Sequence, residues 1–204
     1  MPRLIPLSKR SLKKLPQLVR QVQAEHPGVV VQLWAFDEHR IGLKSIRRRV
    51  WARRGHRPIA MVRDRYQWLY LNGFVHPQTG ATYWFLMPTV RTDVFNQVLA
   101  AFAQAVGAGP DKLILLVLDN AGWHTSHDVQ IPEGIQLVFL PPYSPELQPA
   151  ERLWSLTNEP LINRSCASLD ELEAIQCQRC RVLCSQPDVI CNQTRYHWWP
   201  VVPE

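Results

Sequence analysis

Three acids in this chain stand where a carboxylate is out of place unless it has a task. Asp37 closes the run VVVQLWAFDE, Asp119 closes KLILLVLDN, and Glu151 follows the proline-rich FLPPYSPELQP. Acids are depleted in strands, yet two long apolar runs each end in one. Ligands of α/β sheets gather at the carboxyl ends of parallel strands, so the two aspartates are expected at one sheet edge. Prolines fix φ and remove donors, and the stretch that precedes Glu151 reads as a stiff arch carrying it back over that edge. Pro149 suits the first helical position, with Gln148 as N-cap and Glu151 third in, where the helix dipole favours an ionised side chain. Plainer readings stand beside these: Asp37 in a polar turn, Asp119 opening an Asx-turn in DNAG, Glu151 complementing the dipole.

Carboxylates that converge repel one another, and something must hold them ionised. Hard oxygen donors on few anchors suit Mg²⁺ or Mn²⁺. Two such ions serve in-line phosphodiester displacement, one activating water or a 3′-hydroxyl and the other stabilising the leaving oxygen. The charge distribution supplies a substrate to match. Residues 1–65 hold 16 Lys and Arg against 4 Asp and Glu, whereas residues 66–204 hold 7 against 13, within a net charge of +6. Between Arg40 and Arg65 ten basic residues meet one acid, Asp64, with Trp51 and His56 interleaved. Arg47, Arg48, Arg49, Arg53, Arg54 and Arg57 are therefore expected on a phosphate backbone rather than on a merely solvated face.

The elements that must position these groups follow from periodicity. Residues 8–25 read as a basic helix, with Leu12, Leu15, Val19 and Val22 on one side. A buried strand over 29–38 ends near Asp37, a basic second strand is expected around 41–50, and 67–75 and 82–87 flank the turn HPQTG as a hairpin. Residues 92–106 form the clearest helix, capped by Thr92 and stopped at Gly107. Next come an apolar strand of the parallel, doubly covered kind and a shorter one over 135–140. A helix from Pro149 and a C-terminal helix opened by the Ser168/Glu171 capping box complete the chain. The order predicts an α/β fold, a mixed sheet with antiparallel first strands and parallel later ones, flanked by helices.

Composition bounds the rest. A chain of 204 residues with 46% hydrophobic and 20% charged residues suits one globular domain rather than a disordered one. No apolar run is long enough to span a membrane, and no signal peptide opens the chain, so a cytoplasmic, nucleoid-associated protein with no membrane partner is expected. Five cysteines is an odd number for a disulfide framework. Cys177, Cys180, Cys184 and Cys191 with His197 form a candidate zinc site, but i, i+3, i+7 spacing reads better as a helix stripe packed like small hydrophobes.

FDEHRIGL, LDNAGWHTS and LPPYSPELQPAERLW together resemble the three catalytic signatures of the DDE transposases of the mariner-like insertion-sequence superfamily. The resemblance runs from about Val29 to the C-terminal helix. It implies a ribonuclease H-like and integrase-like core over 29–204 behind a basic linker or helix over 1–28. It further implies metal-dependent DNA strand cleavage and strand transfer in transposition, with Asp37, Asp119 and Glu151 holding Mg²⁺ or Mn²⁺, two ions in all. DNA, both transposon ends and target, is then the partner, with a homodimer as the working unit. His124 matches a family histidine near the second acid and is expected to touch DNA or the leaving group; Tyr143 in the arch is a further candidate. Trp123 and Trp154 read as core aromatics. Two departures stand out. Gln148 replaces the usual Asn, a better N-cap, so a looser start to the Glu151 helix is expected. Fewer than thirty residues precede the first catalytic strand, where family members resemble two helix-turn-helix modules. A truncated or split frame is implied, with end recognition in a separately encoded half. Three other readings compete: a decayed remnant that binds DNA without turnover, a metallophosphoesterase built on Asp119, Asn120, His124 and His127, and PYSP as a PxxP ligand.

Overall fold

The computed structural model describes residues 5–6, 15–56, 58–59, 65–142 and 144–202. In chain order its elements are β1 (Ile5–Pro6), α1 (Leu15–Glu25), β2 (Val30–Gly42), β3 (Trp68–His76), β4 (Ala81–Met87), α2 (Thr92–Val106), β5 (Lys112–Leu118), α3 (Gly122–Thr125), β6 (Ile135–Phe139), α4 (Leu153–Thr157), α5 (Leu169–Cys184) and α6 (Pro187–Thr194). Short 3₁₀ turns cover Pro145–Leu147, Pro149–Arg152 and Glu159–Leu161.

One sheet carries the order β1-β6-β5-β2-β3-β4. β2, β3 and β4 run antiparallel, while β5 and β6 run parallel to β2. This is the expected mixed sheet. β5 lies between β2 and β6, and its residues Ile114 to Leu118 are fully buried, which is why that stretch is apolar at every position rather than at every second one.

Period-two alternation splits β2 between the faces. Val31, Leu33, Ala35 and Ile41 join the core formed with α1, α4, α5 and α6, whereas Trp34 and Phe36 join the core formed with α2. On that second face α2 inserts Phe95, Val98, Leu99, Phe102 and Val106, and Phe102 stacks on Phe74 with ring centres 3.9 Å apart. On the first face α1 buries Leu15, Val19 and Val22, so the part of the basic helix that is described is docked onto the sheet; residues 8–14 lie outside the described residues.

Several boundaries differ from expectation. Asp37 does not end its strand. β2 continues to Gly42 because Asp37 to Gly42 pair antiparallel with Gly73 to Trp68 of β3, and that ladder carries the polar half of the strand. No strand follows over 43–50; the chain there makes only a bridge between Ile46 and Ile162. The N-cap of α2 is Arg91 rather than Thr92, with Arg91 paired to Asp93 at 2.6 Å, while Gly107 ends the helix in the left-handed region as expected (φ 69°). Ser168 caps α5 by accepting from the Glu171 amide, but Glu171 returns its bond to the Ala167 amide, one residue earlier than a capping box requires. The helix of Cys177, Cys180 and Cys184 packs on β4, with Cys180 buried, and Cys191 donates toward the carbonyls of Pro77 and Gln78. Among the described residues no His, Cys, Asp or Glu group of three or more is arranged to hold a metal, so the zinc reading has no site there.

Candidate active site

The parallel ladder between β2 and β5 ends at the Ala35–Val117 pair. Asp119 follows the last residue of β5, Leu118, at the point where β5 stops and β2 goes on past Asp37 to Gly42. The gap left there is a cleft of about 430 Å³, walled by Asp37, Asp119, Asn120, Gln148 and Glu151 and by the start of the proline arch. The structure thus brings the three expected acids to one cavity.

Each acid is held by a different device. Asp37 is buried, and its Oδ2 accepts a hydrogen bond from the Trp154 indole N–H at 2.9 Å. Trp154 lies flat over the sheet because the residue paired with Asp37 is Gly73, where any Cβ would come within 2.9 Å of the indole Cη2. His39 stacks on that indole, ring centres 5.0 Å apart and 13° from parallel. Trp154, expected only as a core aromatic, therefore also orients an acid.

Asp119 is half exposed. Its Oδ1 accepts from the Ala121 amide (3.0 Å) and from His124 Nδ1 (2.8 Å). The other nitrogen of His124, Nε2, donates to Glu38 Oε1 at 2.8 Å, and Glu38 Oε1 also accepts from Trp123 Nε1 at 3.0 Å. His124 is 1% exposed, so the expected DNA contact is corrected: the ring is sealed between two carboxylates and serves Asp119. Glu38 went unremarked in the sequence. Its signal was its adjacency to Asp37, since neighbours in a strand point to opposite faces and an acid there needs its own partner.

Glu151 sits exposed in the 3₁₀ turn Pro149–Arg152. Gln148 does cap that turn, accepting from the Ala150 amide at 3.4 Å, and its Nε2 reaches the Phe36 carbonyl at 2.9 Å. The extra methylene of Gln makes that reach possible. Instead of loosening the turn, as expected, Gln148 ties it to β2 one residue before Asp37. Asn120 similarly ties the loop after Asp119 to the Leu140 carbonyl at the foot of the arch.

Electrostatics differ across the cleft. Burial, then the charges of Glu151, Glu38 and Asp119, push the Asp37 carboxyl well above the usual range, against the Trp154 hydrogen bond. Burial also acts to raise Asp119, but the hydrogen bond and charge of His124 and the Ala121 amide outweigh it and hold Asp119 below its ordinary value. Burial opposes a charge on His124, yet Glu38 and Asp119 lift it to about 9, so the ring is a buried cation at neutral pH. Burial and the Asp119 charge raise Glu151.

The donor chemistry suits a hard divalent cation, although the three carboxylates, like every other His, Cys, Asp or Glu group among the described residues, are not gathered tightly enough to enclose one by themselves. One oxygen of each aspartate is committed to its holding partner, Oδ2 of Asp37 to Trp154 and Oδ1 of Asp119 to His124, which leaves the other of each, with Glu151, to line the cleft. Mg²⁺ takes one or two carboxylates and completes its shell with water and phosphate oxygens, so it needs no closed protein cage. A histidine-ligated centre is not assembled: both nitrogens of His124 are bonded to carboxylates, and His127 is exposed and paired with Asp128 at 3.0 Å.

The basic block lies beside the 3₁₀ turn Glu159–Leu161 that follows α4. Arg48 pairs with Glu159 at 2.9 Å, and Asn163 clasps the Arg48 backbone through both its amide atoms. Arg47, Arg48, Arg49, Arg53 and Arg54 are exposed; Arg57 and Tyr143 lie outside the described residues.

An acid-lined cleft at the switch from antiparallel to parallel pairing defines the ribonuclease H-like class. Within that class the chain belongs to the DDE superfamily endonucleases, whose family model matches residues 32–173. It is 34% identical over 132 residues to the uncharacterised protein y4pE/y4sA of Sinorhizobium fredii (strain NBRC 101917 / NGR234), covering 64% of this chain and 96% of that one. Among solved structures it is similar to a pre-cleavage Mos1 transpososome (TM-score 0.55, 14% identity, 96% of this chain and 67% of that one). It is also similar to the mariner Mos1 paired-end complex with Mg (TM-score 0.51, 16% identity, 96% and 66%). At such identities the likeness is one of fold, and this chain spans about two thirds of the Mos1 chains.

Proposed function

We propose that this chain is the catalytic domain of a transposase that cleaves and joins DNA strands, with Asp37, Asp119 and Glu151 holding Mg²⁺ or Mn²⁺. The observation that carries the reading is the meeting of these three acids in one cleft of a DDE-superfamily fold. When bound, two divalent ions would supply Lewis-acid stabilisation of the attacking and leaving oxygens. The protein's own part is positional. Trp154 and His124 each fix one carboxylate oxygen and leave the other for the cleft, and the Gln148 tether sets Glu151 relative to β2. The exposed arginines beside the turn after α4 would hold the phosphate backbone, and the related structures, solved as a transpososome and a paired-end complex, support DNA as the substrate. A homodimer and a separate end-recognition half belong to the same proposal.

The test is nicking and joining of labelled end oligonucleotides in Mg²⁺ or Mn²⁺. Asp37→Asn, Asp119→Asn and Glu151→Gln are each expected to lose about a thousandfold or more, the scale of a removed catalytic group. Activity retained by any one variant would remove that acid from the site. A wild-type protein that binds DNA but never nicks it would favour the decayed remnant.

A further inference from the structure

A second cleft, of about 460 Å³, opens between the far end of β2 and the start of β3. Its described lining carries three cations, Arg40, Lys44 and Arg65, and no acid. Arg40 is exposed, and its guanidinium is laid over the Trp68 ring, 5.0 Å from the centroid, which presents the fork without pairing it to a carboxylate. Tyr66 is 80% exposed, an unusual state for an aromatic beside such a cluster. Ser45 adds a buried hydroxyl with no hydrogen-bond partner among the described residues.

His39, which stacks on the Trp154 that holds Asp37, bonds Asn158 at 3.0 Å, and both residues line this cleft. A strand rises about 3.3 Å per residue and alternates its faces, so Arg40 lies roughly 10 Å along β2 from Asp37 and on the other face of the strand.

Resting on the proposed function, we infer that this cleft is a second DNA subsite: a backbone phosphate of the bound strand sits on Arg40, Lys44 and Arg65, and the adjoining base stacks on Tyr66. Cations with no acid among the described lining and an exposed ring beside them match a nucleotide, whose phosphate takes the forked donors and whose base has a π-face. The basic block over 47–54 contributes separate contacts, tied to the turn after α4.

Two measurements on metal-free protein test it: fluorescence anisotropy of labelled oligonucleotides over a salt series, and photo-crosslinking with iodouracil-substituted DNA read by mass spectrometry. Arg40→Ala with Lys44→Ala should lower the slope of log affinity against log salt by roughly 1.4 to 1.8, two contacts at 0.7 to 0.9 each. Tyr66→Ala should weaken single-strand binding about tenfold with the slope unchanged, as expected for a lost stack. Crosslinks should fall on the peptide containing Tyr66. All three side chains are exposed, so the variants are expected to fold, and circular dichroism checks this. Unchanged slope and affinity, or crosslinks confined to 47–54, would overturn the subsite, and so would inorganic phosphate competing as well as DNA does. Because no metal or turnover enters, a protein that never nicks DNA but shows these effects would refute the catalytic reading alone.

Discussion

Asp37 and Asp119 enter one cleft from adjacent strands, in opposite settings. Asp37 lies inside β2, buried, with one neutral indole as donor and Glu151, Glu38 and Asp119 acting on it, and its pKa is raised. Asp119 lies just past β5, half exposed, with an amide and a buried imidazolium, and its pKa is lowered. The contrast follows from where each strand stops. β2 runs on, so the backbone beyond Asp37 is spent in the ladder with β3 and the carboxylate's donor is a neutral indole; β5 ends, so the loop after Asp119 can turn its own amide and His124 back onto the carboxylate. The fold thus keeps one acid ready-charged and leaves the other dependent on an incoming positive charge. That division suits a site in which cation capture and substrate capture are coupled.

The widest break in this comparison would come from His124→Ala. It leaves Glu38 and Asp119 facing each other across a sealed space without their shared cation, and removal of one member of a buried ion pair costs roughly 3 to 5 kcal/mol. Urea denaturation at neutral pH without metal measures it. A loss under about 1 kcal/mol, the worth of an exposed pair, would mean that the relay does not hold Asp119.

How much of this was legible is itself a matter of local against non-local physics. The strand before Asp119 announced itself because burial on both faces demands an unbroken apolar run, and the arch announced itself through proline stereochemistry. The carboxyl end of β2 differs from expectation because the ladder that extends it belongs to β3, with residues 39–42 lying 26 to 32 positions from their partners, and no property of those residues reports a distant partner. The basic stretch over 43–50 has strand-like residues but no neighbour to pair with. Glu38 and His124 each look like a loop or strand polar residue alone; only the turn of α3 places His124 five residues after Asp119 and against the opposite face of β2. In contrast, α6 was readable and overlooked, since Pro187 and Asp188 stand in its first turn.

The pH response narrows the comparison. His124 has a folded pKa raised from 6.5 to about 9, so its stabilisation is fully present below about 6.5 and lost as pH climbs through 9. At about 1.36 kcal/mol per unit this alkaline loss is on the order of 3 kcal/mol. Asp119, with its pKa lowered, contributes in the opposite direction, losing its stabilisation only as the solution is acidified below its ordinary range. Thermal melts of the metal-free protein from pH 6 to 10 should fall across that alkaline window, and His124→Gln should flatten the fall. A wild-type curve already flat there would place no charge on His124.

The smallest expected effect is the most discriminating, because it concerns sign. In the metal-free protein at neutral pH, ionised Asp37 is a liability: with its pKa raised, whatever it adds to stability is present at acid pH and lost as pH rises. Asp37→Asn removes that charge and keeps an oxygen for the Trp154 N–H, so it should stabilise by on the order of 1 kcal/mol. Asp119→Asn removes the counter-charge of His124 and should destabilise by a similar amount, discounted for its exposure. Excess Mg²⁺ should then narrow the gap between wild type and Asp37→Asn, since ion binding stabilises the folded chain only where the carboxylate remains. If both asparagine variants moved stability in the same direction, the two acids would be alike in energy, and the division of labour drawn from their strands would fail.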